Sequence, residues 1–364
     1  MLGWLEIFVG ACFYYSGLVK FARFLTRRSG PKLVILCHHR AFGKRMRGQF
    51  LYLKRHYRVL HLEEALKELY DPSARAGRDR RTLLVIAFDD GYSDNYTHGF
   101  ALARELQLPI TVFLVPHPIE NEQPFTWVAG EYQHLVPYAQ VERVTLGDHA
   151  YCLNDPVECK KLTRVIDDQA RYPASIAERE DFLASVRQAL AIPATFTVGE
   201  LKDMPLTWPE VQEMEQSSWV SFGAHTMHHP MLTCLTDPDE VKYEIGESRT
   251  VLEKKLGHPV RAFAYPYGDF GEREVDAVRD AKFDWAVTTI YGFNTPRTDP
   301  LRLYRIVVGE HQHWLVLADP ADLVRRAGRQ LRLQRFQPLR QLLGGLADVG
   351  TGRRAADRRT AVAV

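Results

Sequence analysis

Three short stretches, 32–37 (KLVILC), 82–88 (TLLVIAF) and 109–115 (PITVFLV), are apolar at almost every position instead of at alternate ones. A strand with that pattern has no face left for water, so it must be buried on both sides, as in a parallel sheet covered by helices. Each run stops at a polar cluster, and the second and third are separated by a helix expected over about 95–105. Strand, helix, strand in this order predicts an α/β fold. Later segments extend it, with strands over 219–224, 260–265 and 285–288 and helices over about 238–256 and 272–281. Between them, 117–206 breaks the pattern. Helical periodicity over about 156–172 and 176–190 and weak strand signal make this stretch a mainly helical insertion, lying over the sheet edge, and not a second catalytic domain.

The chain of 364 residues therefore divides into 1–30, a body over 31–324 that contains the insertion, and a tail over 325–364. Charge follows the same division. The net charge of +2 conceals +11 over residues 1–60, +8 over 325–364 and −17 over the acidic middle. A nucleic-acid groove would place its cations in the folded middle, so basic ends around an acidic body speak for an anionic membrane surface or for solubility, and against nucleic acid. The tail, rich in glycine and arginine pairs, supports one short amphipathic helix near its start and then reads as partly disordered. Five scattered cysteines have neither disulfide-scaffold nor thiolate-metal spacing, which suits a reducing compartment.

Residues 2–25 are largely apolar and aromatic but are broken by Glu6, Lys20 and Arg23, and they open with no basic region of a cleaved signal. Only 13 residues separate Glu6 from Lys20, short of the ~20 that a spanning helix needs, although a tilted span of about 18–20 residues is conceivable if Glu6 snorkels. The basic cluster Lys20, Arg23, Arg27, Arg28 and Lys32 would stay on the cytoplasmic side of a bacterial inner membrane, whether the segment spans or lies flat. A membrane-associated helix, peripheral or single-pass with the body cytoplasmic, is the expectation, and an amphipathic helix docked on the protein's own core is the alternative.

Three polar clusters follow expected strands. In Phe88-Asp89-Asp90-Gly91-Tyr92, two adjacent carboxylates end a buried strand, which is where α/β proteins place their chemistry; an ordinary Asp/Gly turn has the same composition. In His225-Thr226-Met227-His228-His229-Pro230, His225 and His229 would share one face of a helical turn and, with one carboxylate, make a His2Asp divalent-metal triad. His228 would then point elsewhere. In Phe263-Ala264-Tyr265-Pro266-Tyr267-Gly268, a strand leaves through a Pro and a Gly around an aromatic, a turn that can present backbone N–H groups to an oxyanion.

The order Phe-Asp-Asp-Gly-Tyr, His-Thr-x-x-His-Pro, Tyr-Pro-Tyr-Gly resembles the polysaccharide deacetylase family, the NodB-homology carbohydrate esterases of family four, and within it the exopolysaccharide-type subgroup. The resemblance covers about 31–116 and 207–310. It implies a distorted (β/α) barrel, a metal-dependent amide hydrolase site at its mouth, and an N-acetyl or related N-acyl group removed from an amino sugar in a polysaccharide or lipid-linked glycan. By that pattern Asp89 is the general base, Asp90, His225 and His229 hold the metal, and the Tyr267 N–H lines the oxyanion hole. Tyr267, Tyr92 and Trp208 are expected to touch substrate; Trp127 is a further sugar-stacking candidate. Zinc is the default ion, with cobalt, nickel or manganese also suited to such a site.

The chemistry needs a nucleophile, a means of stabilising a tetrahedral carbon and an acid for the leaving amine. A bound divalent ion lowers the pKa of its water from 15.7 toward ~7, and Asp89 would take the proton. Here the chain departs from the family. The arginine that usually precedes the third motif's proline is Ala264, Arg261 points to the opposite strand face, and 301–306 lacks the late acid histidine. Arg305 is expected to replace the arginine from another strand. His39 is the first candidate for the acid, with His38 and His311 next, and Asp284-Trp285 resembles the motif that supports the missing histidine. Two alternatives stand beside this reading: another amide or ester hydrolase, such as a glycolipid deacylase, and a non-catalytic carbohydrate-binding relative.

Overall fold

The computed structural model describes residues 30–309 except 42, 72, 74–78, 80, 123, 124, 126–135, 137, 138 and 193–203, together with scattered positions before residue 30. His311, Trp127 and the tail lie outside the described residues, as does most of 2–25.

The apolar runs are strands: β1 (Leu33–His38), β3 (Leu83–Phe88) and β4 (Ile110–Leu114), buried at every position. They join β7 (Val220–Ala224), β8 (Ala262–Ala264), β9 (Trp285–Val287) and β10 (Ile306–Val307) in one parallel sheet of order β10-β1-β3-β4-β7-β8-β9. The short β2 (Arg58–Val59) pairs beside it with β3. The sheet is curled and open, and one segment touches both of its edges: Leu303 bridges Val287 of β9, while Ile306 and Val307 pair with Leu36 and Cys37 of β1. This is the distorted barrel expected from the sequence.

Helices cover both faces, as continuous apolar strands require. On one face Leu62, Ala65, Leu66 and Leu69 of α2 (Leu62–Tyr70) pack against Leu33, Ile35, Val85 and Phe113. On the other, α1 (Gly43–His56), α3 (Ala101–Leu106, continuing a π-helical segment Asn95–Phe100), α7 (Trp208–Glu215), α8 (Pro238–Leu256) and α9 (Glu272–Asp280) share a second core. A short α4 (Pro116–Asn121) follows β4.

The insertion builds a core of its own. The antiparallel hairpin β5 (Arg143–Leu146) and β6 (His149–Cys152) packs Val144 and Tyr151 against Leu162, Ile166, Leu183 and Val186 of α5 (Pro156–Arg171) and α6 (Ile176–Ala189). The hairpin escapes strand patterning because only one of its faces meets α5 and α6. The α5–α6 corner lies against the segment leading into α8, with Ile176 N donating to Glu240 Oε1 at 2.8 Å and Thr236 N to Ala174 O at 3.0 Å. It therefore sits against the start of α8.

No helix of the described residues is long and apolar enough to cross a membrane. This overturns the single-pass arrangement: Glu6, Lys20 and Arg23 leave too short an apolar run.

Candidate metal centre and active site

The three polar clusters meet where β3, β7 and β8 end. Four non-glycine residues of these turns have left-handed backbones: Asp90 (φ 73°), Thr226 (φ 63°), His229 (φ 56°) and Tyr267 (φ 58°). Such conformations cost of order 1–3 kcal/mol each and persist only where surroundings impose them. They also revise one local expectation. The 225–229 stretch is a loop and not a helical turn, because left-handed residues at 226 and 229 interrupt any helix.

The loop brings both imidazoles onto one carboxylate nonetheless. Asp90 Oδ1 stands 3.5 Å from His225 Nε2 and 3.4 Å from His229 Nε2, with all three residues buried. The two rings are 4.7 Å apart and nearly perpendicular. Ligands of a tetrahedral ion at 2.0–2.1 Å stand about 3.4 Å from one another, so the spacing is that of ligands around a shared ion. Asp90 Oδ1 is buried with no hydrogen-bond partner. Burial pushes the Asp90 carboxyl up, and burial pushes both imidazoles down, His229 well below its ordinary range. The histidines are thus neutral donors, and the carboxylate lacks a countercharge that a cation would supply. His225 Nδ1 donates to Ala264 O at 2.7 Å, which leaves the Nε2 lone pair facing Asp90. Asp90, His225 and His229 fit a divalent ion.

A second group, Cys37, His39 and Asp89, also offers three ligand atoms within 4.8 Å of one another. It suits a cation less well. Burial holds the Cys37 thiol well above its ordinary value, so it stays protonated and donates to Asp89 Oδ2 at 3.3 Å, while Arg305 Nη1 donates to Asp89 Oδ1 at 2.7 Å. Burial alone would raise Asp89, but the Arg305 charge and hydrogen bond, together with His225 and His39, outweigh it and hold the carboxyl well below the carboxylate range. Arg305 is fully buried, and its Nε is fixed by Thr288 O at 2.7 Å. It reaches Asp89 because the segment carrying it links the two sheet edges.

The remaining sequence candidates separate. His39 is exposed at the rim, within 4.8 Å of Asp89 and Cys37 ligand atoms, and Asn95 Nδ2 holds its carbonyl at 3.0 Å. His38 is buried and stacked on Phe88, and burial lowers it to about 4, so near neutrality it is not the imidazolium that a general acid needs. Tyr267 sets its ring edge-on to His229 at 4.8 Å. Tyr92 is buried against Phe125 with the Arg40 guanidinium 4.2 Å from its ring centre. Trp208 starts α7 behind a Thr207–Glu210 capping box and lies under Lys255 Nζ at 4.7 Å, packed on the core. Arg261 pairs with Asp284 at 3.4 Å, and Trp285 stacks on Tyr70.

Two supporting carboxylates are absent from the motif reading. Glu244, wholly buried on α8, accepts from Met227 N, His228 N and His228 Nδ1, so His228 anchors the metal loop. Its signal was an acid on the apolar stripe formed by Val241, Ile245 and Leu252. Asp94 accepts from Ala41 N and Arg40 Nε and so clamps the chain after His39.

The polysaccharide deacetylase family model matches residues 180–286, a stretch that holds the histidine loop and Tyr267 but not Asp89 or Asp90. Over 68 residues the chain is 37% identical to chitin deacetylase 1 of Cryptococcus neoformans var. grubii, a match covering 19% of this chain and only 14% of that protein. Two solved structures align over most of their length. The Streptococcus pyogenes deacetylase PplD in complex with acetate has a TM-score of 0.52 at 17% identity, over 79% of this chain and 97% of that one. IcaB from Ammonifex degensii has a TM-score of 0.52 at 18% identity, over 81% and 97%. At such identities the likeness is one of fold.

Proposed function

We propose, from the polysaccharide deacetylase (NodB-homology) fold that this chain has, that it removes an N-acetyl or related N-acyl group from an amino sugar within a polysaccharide or lipid-linked glycan. The carrying observation is the pair of adjacent carboxylates with opposite surroundings. Asp90 Oδ1 faces two neutral imidazoles and has no hydrogen-bond partner among the described residues, while Asp89 is ionised against Arg305. One is built to hold a cation and the other to accept a proton.

A divalent ion held by Asp90, His225 and His229 would acidify a water and polarise the acyl carbonyl. Asp89 would accept a proton from the attacking water, its carboxylate held in place by Arg305 Nη1 on Oδ1 and the Cys37 thiol on Oδ2. Arg305 fixes the carboxylate in position and keeps it ionised. The Tyr267 N–H, in a turn that its left-handed backbone redirects, donates to the carbonyl oxygen as charge develops there. His39, at the rim beside Asp89, gives a proton to the departing amine. Tyr267 and Tyr92 bound the space for the sugar.

The test is metal content by elemental analysis of wild type and His225→Ala, coupled to acetate release from N-acetylated glycans and lipid-linked sugars. One ion per chain, lost together with acetate release in the variant, is expected; neither ion nor acetate in the wild type sinks the reading.

A further inference from the structure

Two cations of the insertion face this site. Arg171, the last residue of α5, holds its guanidinium carbon 5.3 Å from the centre of the Tyr267 ring, and that ring stands 4.8 Å from His229. It makes no ion pair among the described residues. Arg179 of α6 is only 2% exposed. Its Nε and Nη2 share a single oxygen, Glu180 Oε1, at 3.2 and 3.1 Å, and its Nη1 has no acceptor among the described residues. The Arg179 charge acts on His229, Tyr267 and His117, and the Arg171 charge on Tyr267 and Asp167. Glu180 pairs with Arg179 through that one oxygen and is itself half exposed, and Asp167, which burial raises to about 6, makes no ion pair with Arg171 among the described residues.

A guanidinium withdrawn from water is costly unless its donors are used, and its planar fork matches a carboxylate or phosphate. We propose that Arg171 and Arg179 form an anion-reading subsite, so that the preferred amino sugar carries a phosphate or carboxylate near the acylated nitrogen. This rests on the amino-sugar reading above. Arg171 lies on the face of the Tyr267 ring, so its partner is a group of the substrate other than the reacting carbonyl at the backbone N–H.

The experiment is calorimetric titration of the full chain with N-acetylglucosamine, with its 1-phosphate, and with a disaccharide joining glucuronate to N-acetylglucosamine. At least one charged sugar should bind about tenfold more tightly than the neutral one. Which of the two does so identifies the anion. Arg171→Gln should bring the charged sugar to within about twofold of the neutral one, whereas Lys160→Gln, an exposed cation on the same helix, should leave the preference intact. Because Arg179 is buried, Arg179→Lys, which keeps the charge and loses the fork, replaces its deletion and should weaken the preference. Equal binding of all three sugars by the wild type overturns the proposal, as does a preference that survives Arg171→Gln, which would be anion binding to the metal alone. Acetate release is read in parallel: charge preference without acetate removes the hydrolase reading only, and acetate without charge preference removes the subsite only.

Discussion

Arg305 Nη1 donates to Asp89 Oδ1 at 2.7 Å across 216 residues of sequence, and both side chains are buried. Asp89 ends β3, while Arg305 lies in the segment that touches β9 and β1.

Replacing Arg305 by Gln leaves a buried carboxylate unpaired, at a cost of about 3–5 kcal/mol. The folded Asp89 pKa is depressed, so the pair's stabilisation is present above the ordinary carboxylate pKa and is lost only as pH falls through the lower folded value. Removal of the arginine raises that pKa and should move the acid limb of kcat/KM to higher pH. Denaturant unfolding and a pH–rate profile measure both; an unmoved limb would show that Arg305 does not tune the base.

Asp90→Asn and His229→Ala should each abolish stoichiometric metal binding. Saturating metal at about a thousandfold over its Kd stabilises the fold by about 4 kcal/mol, so a chelator should lower the Tm of the wild type and leave both variants unaffected. Differential scanning calorimetry with and without chelator reads the difference.

Glu244→Ala removes the acceptor of three donors in the metal loop. Metal affinity should fall about 10–100-fold, as for other groups that orient ligands. Equilibrium metal titration checks this, and unchanged affinity would reduce Glu244 to a helix-core residue.

His38 carries a pH signature apart from catalysis. Its folded pKa of about 4 lies below the ordinary 6.5, so its contribution is present above 6.5 and is lost as pH falls toward 4. The full difference amounts to about 3 kcal/mol. Urea unfolding between pH 7 and 4 should show that loss in the wild type and a flatter profile in His38→Phe.

His39→Ala should lower kcat by about 10²–10⁴-fold and remove the basic limb of the pH–rate profile while metal content is unchanged. An unaltered rate would return the search for the acid to other residues.

The sequence by itself determined the parallel sheet, because strands apolar on both faces admit no other environment, and it determined which polar clusters end those strands. Asp90, His225 and His229 were legible for that reason: each sits within a few residues of a strand end, and strand order alone brings such ends together. Tertiary structure decided the rest. The curl of the sheet lets residues 303–307 touch both edges and put Arg305 on Asp89. The same packing buries His38 while leaving His39 at the rim, a difference between adjacent histidines that no local pattern encodes. The docking of α5 and α6 against the loop before α8 carries Arg171 and Arg179 to Tyr267. Long-range pairs of this kind depend on backbone curvature and on burial summed over many residues, and neither quantity is written in any short window of sequence.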